Sequence, residues 1–374
     1  MHDVALRSLL HDRAKVLAAI CGVALSATLL LVQIGLFVAF LGTSSAIITR
    51  IGGHVWVMAR GTEVVDNAQT LAVGSRGALA ALPCVRQVRG VVFSVATMHK
   101  PSGALEYLQI VGVERDQQPI VPWTFAKGLP ADLLGPDRVA IDEHDRVKLA
   151  LPEEPMGANI QLSTGVATVA ALTRGIRSFS LYPYLFAEIE TARQLAGLSE
   201  GQAQFWVGEL ESPYCARRVA AGVRAHPDLD AHTTADFARM TQDYWVFGSG
   251  AGGALAFAAL FSLLVGGVIV AQTLYSITRE HDKELATLKA MGATRAELIS
   301  FVAWQASFLA LIGGATGAAL AMLLSRMLVG EGIDIALTGL VFATGAIAIG
   351  CMCALASVPS ARRVLRVEAA EVFR

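Results

Sequence analysis

Residues 244–278 read YWVFGSGAGGALAFAALFSLLVGGVIVAQTLYSIT: 35 positions between Asp243 and Arg279 without a single Asp, Glu, Lys or Arg. A bilayer core of roughly 30 Å is spanned by about 20 apolar helical residues, and each charge placed mid-span costs about 2.5–3.5 kcal/mol on insertion scales. Three more runs share the property: 34 residues between Lys15 and Arg50, 28 between Glu297 and Arg326, and 27 between Asp334 and Arg362. The expected fold is a membrane protein with four transmembrane α-helices, placed at 16–41, 248–278, 298–325 and 335–359. The rest of the 374 residues follows the same logic. Charged residues make up only 16% and mean hydropathy is +0.53, a composition that excludes disorder, collagen and a small disulfide scaffold. A net charge of −1 gives no global attraction to nucleic acid. The first apolar run is longer than the 7–15 residue core of a secretory signal and reads as an uncleaved anchor.

The short connections set the orientation. Arg7, Arg13 and Lys15 precede the first span; Arg279, Lys283, Lys289 and Arg295 lie between the second and third; Arg362, Arg363, Arg366 and Arg374 follow the fourth. The third connection has Arg326 against Glu331 and Asp334. Short basic segments stay in the cytoplasm, so both termini and the 279–297 loop are expected inside. A large extracytoplasmic domain at 50–243 then lies between helices 1 and 2, with a cytoplasmic tail at 360–374. That domain, with 17 Lys/Arg and 21 Asp/Glu over 51–243, is nearly charge-balanced and votes weakly. It reads as mixed α/β. Strands are expected at His54–Met58, Val88–His99, Glu106–Val113 and Gln204–Leu210, with a turn at 100–103. Helices are expected at Asp142–Leu149, Thr191–Leu198, Tyr214–Ala225 and Thr233–Asp243. Residues 1–15, with Val4, Leu6, Leu9 and Leu10 among basic residues, suit an interfacial helix.

Chemistry-bearing motifs are few. Gly248, Gly250 and Gly253 satisfy G-x-G-x-x-G, but they open an apolar span rather than follow a strand, and no acidic residue stands about 20 positions on, which argues against a dinucleotide site. Gly248/Gly252 and Gly313/Gly317 are G-x-x-x-G pairs and read as helix-packing positions. No Walker A loop occurs. No span carries an ionisable group in its middle, which argues against a self-powered transporter. Gln33, Gln272 and Gln305 read as interhelical hydrogen bonders. Asp142-Glu143-His144-Asp145 has the residue types of a metal cluster, but four consecutive helical positions point in four directions; a solvated helix start is the better reading. His226 and His232 match no zinc spacing. No catalytic residue, metal site or cofactor is expected. Cys21, Cys351 and Cys353 lie in spans and read as packing residues; Cys84 and Cys215 fall in the exterior domain, where a disulfide is chemically permitted but not fixed by their spacing.

The segment Arg279–Thr294 is the most informative. Leu285, Leu288 and Met291 recur at helical spacing in a charged context, Gly292 supplies a stop, and Thr294 can cap the next helix ahead of Glu297. A short amphipathic helix between two spans is a natural docking knob for a soluble partner. At Glu284-Leu285-Ala286-Thr287-Leu288-Lys289-Ala290-Met291-Gly292-Ala293 the chain resembles the cytoplasmic motif of permeases of the MacB/FtsX/LolC type, the type VII ABC transporters. The tail Arg362–Arg374 resembles that family's C-terminal pattern, with Glu368-Ala369 where Asp-Pro is usual. Gln305 stands where an acidic residue is often seen. Gln33–Phe37, Val55–Thr62, Gly175–Phe179 and Tyr182–Phe186 are similar to segments of the DevC subgroup.

This resemblance implies a permease without its own nucleotide site. Such a permease forms a homodimer, binds a separate ABC ATPase through Glu284, Leu285, Leu288, Lys289, Met291 and Gly292, and transmits ATP-driven motion to the exterior domain for export or efflux. It further implies the bacterial inner membrane, a periplasmic domain, a membrane-fusion adaptor and an outer-membrane duct, with membrane lipid but no nucleic acid as partner. Two alternatives stay open: a non-transporting mechanotransmission subunit that regulates a cell-wall hydrolase, and a lipoprotein-extraction permease.

Overall fold

The computed structural model describes residues 13–114, 122–176, 178, 182–280, 286–287, 289–291, 293–330, 333 and 335–366. The interfacial helix expected at 1–15 lies almost wholly outside them. The chain divides into two compact units, one of Met1–Ala39 with Gly250–Arg374 and one of Phe40–Ser249.

The first unit is built from four long helices: α1 (Arg13–Ser44), whose last residues pass into the other unit, then α7 (Ala251–Glu280), α8 (Arg295–Gly330) and α9 (Gly339–Arg366). Each is long and apolar enough to cross a membrane. Their bounds differ from the expected spans at both ends of the bundle. α7 begins at Ala251 rather than 248, because a π-turn over Tyr244–Gly248 is followed by Gly250 at φ +79°, a left-handed conformation that breaks the helix and suits glycine. α9 continues past Pro359 to Arg366, so the start of the expected tail is helical.

Apolar residues from all four helices meet in one core, including Val23, Ala27, Val270, Leu274, Leu309, Ile349 and Met352. Close helix approach depends on small residues. A Cβ on Gly317 would stand 2.6 Å from the Ala24 carbonyl oxygen and 3.1 Å from the Thr28 amide nitrogen, and one on Gly313 would stand 2.6 Å from Val23 Cβ. The Thr28 hydroxyl donates to the Gly317 carbonyl at 3.1 Å. This is the close backbone contact that small residues permit between apolar helices. The α1–α7 seam has a counterpart in Gly266, where a Cβ would collide with Ser26.

The second unit is a ten-stranded mixed sheet: β1 (Val55–Ala59), β2 (Val85–His99), β3 (Leu105–Val113), β4 (Phe125–Lys127), β5 (Arg138–Asp142), β6 (Asn159–Leu162), β7 (Gly165–Thr173), β8 (Tyr184–Glu188), β9 (Phe205–Leu210) and β10 (Leu229–Thr233). The strand order is β10-β1-β9-β2-β3-β8-β5-β7-β4, with β6 pairing both β2 and β7. The pairings β2–β3–β8–β5–β7–β6–β2 therefore close a ring. Its core includes Val92, Leu108, Ile141, Ile160, Val169 and Leu185, since alternate residues of each strand point to one side. A second core holds Trp56, Phe205 and Phe237, with Trp56 edge-on to Phe205 at 5.4 Å.

The short helices of this unit are α2 (Ala46–Ile51), α3 (Ser75–Ala80), α4 (Ile189–Ala196), α5 (Ala216–Val223) and α6 (Thr234–Asp243). α4 starts where the Glu188 carboxylate accepts from the Glu190 amide, and ends at Gly197 with φ +69°, the usual left-handed terminator. The Thr233 hydroxyl accepts from the Asp236 amide and caps α6.

The helix expected at Asp142–Leu149 is instead the end of β5 followed by a 3-10 turn, Glu143–Arg146. Asp142 is buried rather than solvated. Its carboxylate accepts from the Ile176 amide at 2.8 Å, the Thr173 hydroxyl at 3.1 Å and the His144 amide at 3.1 Å. Three donors compensate the loss of water around it, which makes it a fastening point between β5, β7 and the following loop.

Candidate functional site

Of the six residues expected to contact an ATPase, Glu284, Leu285, Leu288 and Gly292 lie outside the described residues. Lys289 and Met291 are described. Ala286, Thr287, Lys289 and Ala290 are helical, and the Met291 amide donates to the Thr287 carbonyl at 2.9 Å, the i to i−4 spacing of an α-helix. Ala286 is fully buried while Met291 is 73% exposed, so the segment has an anchored side and a free side. Lys289 Nζ donates to the Leu365 carbonyl at 3.3 Å, tying the segment to the last turn of α9, where a cation suits the unpaired carbonyls.

The base beneath this segment is knit together. Thr294 and Glu297 form a reciprocal cap at the start of α8. The Thr294 amide donates to Glu297 Oε2 at 2.8 Å, and the Thr294 hydroxyl accepts from the Glu297 amide at 3.3 Å, as in a capping box. Leu298, Phe301, Val302 and Val364 form a small apolar cluster with Ala293 packed on it. Lys15 pairs with Glu280, joining α1 to α7. Arg363 lies over the Tyr275 ring at 5.6 Å and donates to its hydroxyl at 3.4 Å, joining α9 to α7. These contacts join the neighbouring ends of α1, α7, α8 and α9.

The other expected positions divide. Gly313 and Gly317 sit on the α1–α8 seam described above. Gly252 is buried in the first turn of α7. Gly248 lies before that helix, in the π-turn, where the three atoms nearest its Cβ position all belong to the Tyr244 ring of the same turn, the first at 3.1 Å. Gln33 and Ser262 approach at 3.5 Å across α1 and α7. Gln272 is exposed, and the amide of buried Gln305 has no partner among the described residues, so neither makes an interhelical hydrogen bond among them. No group of three or more His, Cys, Asp or Glu able to hold a metal occurs among the described residues.

In the sheet unit, Cys84 and Cys215 form a disulfide, with Cα atoms 6.5 Å apart, while Cys21, Cys351 and Cys353 are free. A buried polar chain runs from Asp66 through Gln109 to Ser178. Gln109 Nε2 donates to Asp66 at 2.6 Å, and the Ser178 hydroxyl donates to Gln109 Oε1 at 2.7 Å. Burial pushes the Asp66 carboxyl up, and the Gln109 hydrogen bond partly offsets that. At the surface, the hydrogen bond from Arg174 holds Glu143 below the usual carboxylate range. Sequence reasoning missed this chain because its members are 43 and 69 positions apart.

Comparison with known proteins places the long helices. Residues 256–369 match the family model described as FtsX-like permease C-terminal. The matched stretch covers all of α8 and α9 and nearly all of α7, with the segment that joins α7 to α8. An uncharacterized ABC transporter permease of Methanocaldococcus jannaschii is 34% identical over 70 residues, which are 19% of this chain and 18% of that protein. The chain is thus aligned to less than a fifth of that relative's length. Among solved structures, the periplasmic region of MacB from Actinobacillus actinomycetemcomitans overlays with a TM-score of 0.38 and 11% identity, covering 51% of this chain and 93% of that one. The extracellular domain of the noncanonic ABC-type transporter YknZ from Gram-positive bacteria gives 0.35 and 11%, covering 48% and 98%.

Proposed function

We propose that this chain is the permease subunit of an ABC transporter, which receives motion from a separate ATPase at residues 284–292 and passes it through the helix bundle to the sheet unit, for export or efflux. The observation that carries the reading is the match of residues 256–369 to the FtsX-like permease C-terminal family, which encloses the segment whose exposed Met291 stands on a pinned base. Three features support it. Four helices are long and apolar enough to span a bilayer. The sequence has no Walker A loop, so the energy source is a partner. The disulfide lies in the sheet unit and the free cysteines in the helices, which supports an oxidising compartment for residues 50–243 and, with the basic short connections, supports a reading with both termini and the 279–297 loop on the cytoplasmic side of a bacterial inner membrane.

A permease of this design acts by mechanics. ATP-driven closure of the ATPase displaces the docking segment, and Lys289, the Thr294–Glu297 cap and the Leu298 cluster carry that displacement into α9 and α8. The working complex is a homodimer with two ATPase subunits, a membrane-fusion adaptor and an outer-membrane duct.

Purification of the tagged chain from its native membranes in mild detergent tests the proposal. Recovery of an ABC ATPase together with a fusion adaptor is the expected result. An ATPase with a cell-wall hydrolase activator and no adaptor would replace export with mechanotransmission, and an ATPase with captured lipoprotein would replace it with lipoprotein extraction. Absence of any ATPase would overturn the permease reading.

A further inference from the structure

The two helices α8 and α9 do not close against each other along their outer side. Between them runs a cavity of about 590 Å³, walled by Ala306, Ala310 and Gly314 of α8 and by Ala346, Gly350 and Ala354 of α9. It extends from Ala303 to Ala318 along α8, about 22 Å at 1.5 Å per residue. Leu31 and Phe342 lie at the end near Ala318; Ala303 and Ser357 line the other. The wall is mostly apolar, and the Ser307 and Ser357 hydroxyls spend their donors on the Ala303 and Ala354 carbonyls at 2.8 and 2.7 Å. The groove's length and apolar lining suit an extended hydrocarbon chain.

Its Ala303 end is electrically distinct. There α8 begins at Arg295 and α9 finishes with Arg362 and Arg366. All three are exposed, and none has an ion-pair partner among the described residues. The one carboxylate in the first turn of α8, Glu297, is occupied by the Thr294 amide and hydroxyl. Trp304, 45% exposed, stands beside Ala303, an aromatic placement common at the headgroup level. Apolar surface followed by exposed cations is complementary to an anionic amphiphile.

We propose that the α8–α9 groove holds one acyl chain of an anionic phospholipid, whose phosphate headgroup is met by Arg295, Arg362 and Arg366. This rests on the membrane reading of the four helices. A lipid bound there wedges α8 and α9 at a fixed separation, at the very turns to which Lys289 and the Thr294 cap deliver motion.

The test uses the full chain, purified in mild detergent from nanodiscs of equal parts palmitoyl-oleoyl phosphatidylglycerol and phosphatidylcholine, with retained lipid counted by native mass spectrometry. Wild type is expected to retain phosphatidylglycerol in preference to phosphatidylcholine. Gly350→Trp is expected to lose it. A Cβ at Gly350 meets nothing within 4 Å, so a side chain there starts into the open groove; Gly350→Leu serves as a smaller filler if the first variant misfolds. Arg362→Gln/Arg366→Gln is expected to keep a lipid but lower the phosphatidylglycerol preference roughly thirtyfold, at about a factor of five per arginine near an anionic headgroup. Equal retention of both lipids by wild type, or undiminished retention by both Gly350 variants, would overturn the proposal. So would a shift from dimer to monomer in Gly350→Trp without lipid loss, which would make the groove a contact between copies. Carbonate extraction separates the failures: a wild-type chain that does not insert defeats the membrane reading, whereas an inserted chain without retained lipid defeats the groove alone.

Discussion

Cys84 and Cys215 are linked across 131 positions of sequence, joining the loop before β2 to the loop before α5. A cross-link over so long a stretch removes much of the freedom of the unfolded chain, about 4–5 kcal/mol in the loop-entropy account. Cys84→Ser/Cys215→Ser should therefore lower the thermal midpoint of the sheet unit by several degrees and raise its protease sensitivity. The single variants should do the same and leave a titratable thiol. An unchanged midpoint would mean that the link contributes nothing to folding.

Gly317 allows α8 to touch α1 at the Ala24 carbonyl and the Thr28 amide. Gly317→Leu should cost the bundle about 1–3 kcal/mol or more through overpacking, seen as loss of the folded species in detergent size-exclusion. Gly350→Ala, where a Cβ has open space, should behave as wild type. Equal behaviour of the two variants would show that the α1–α8 approach is not tight.

Asp142 holds three donors from two segments. Asp142→Ala leaves the Ile176 amide and the Thr173 hydroxyl without an acceptor, at about 1–3 kcal/mol per stranded group. Denaturant unfolding of the full chain in nanodiscs, followed through the tryptophans of the sheet unit, should shift to lower midpoint. Asp142→Asn should lose less, since an amide oxygen still accepts.

Asp66 titrates in the opposite sense from a paired surface carboxylate. Its folded-state carboxyl lies above the ordinary value of 3.8 because burial penalises the charged form. Below 3.8 it is protonated in both states and contributes nothing. As pH rises through 3.8 the unfolded chain ionises first, so stability falls until the folded carboxyl has ionised as well. Asp66→Asn keeps an oxygen for Gln109 Nε2 and removes that penalty. The variant should match wild type in strong acid and exceed it increasingly toward neutral pH, read as the difference in unfolding midpoint between pH 3 and pH 7 at constant salt (roughly the window bracketing carboxyl titration). A constant difference across that window would show that Asp66 is not desolvated.

Much of the architecture was legible because it is written in composition. Four charge-free runs announce four long helices, and the turn at 100–103 between alternating segments announces the β2–β3 hairpin. The strands closing the ring were not legible. β7 reads GVATVAALT, whose alanines suit a helix as well as a strand, and β5 has only five residues. Their pairing is set by partners far along the chain, as is the role of Asp142. The 3-10 turn after it resembles a helix start in sequence, and only the fold brings the Asp142 carboxylate to the Ile176 amide 34 positions away. The Cys84–Cys215 link was open for the same reason: only the sheet order brings the start of β2 beside α5. At the docking segment, the Thr294–Glu297 cap was readable from spacing, whereas the Lys289 contact with Leu365 depends on where α9 ends.

The central claim is that residues 284–292 receive an ATPase. It is tested most directly by comparing wild type with Leu288→Asp, both reconstituted in lipid with the co-purifying ATPase. Leu288→Asp should insert normally, resist carbonate extraction, and lose ATPase binding by at least about tenfold, since a carboxylate must be desolvated in place of an apolar contact. Undiminished assembly and undiminished stimulation of ATP hydrolysis by Leu288→Asp would contradict the claim.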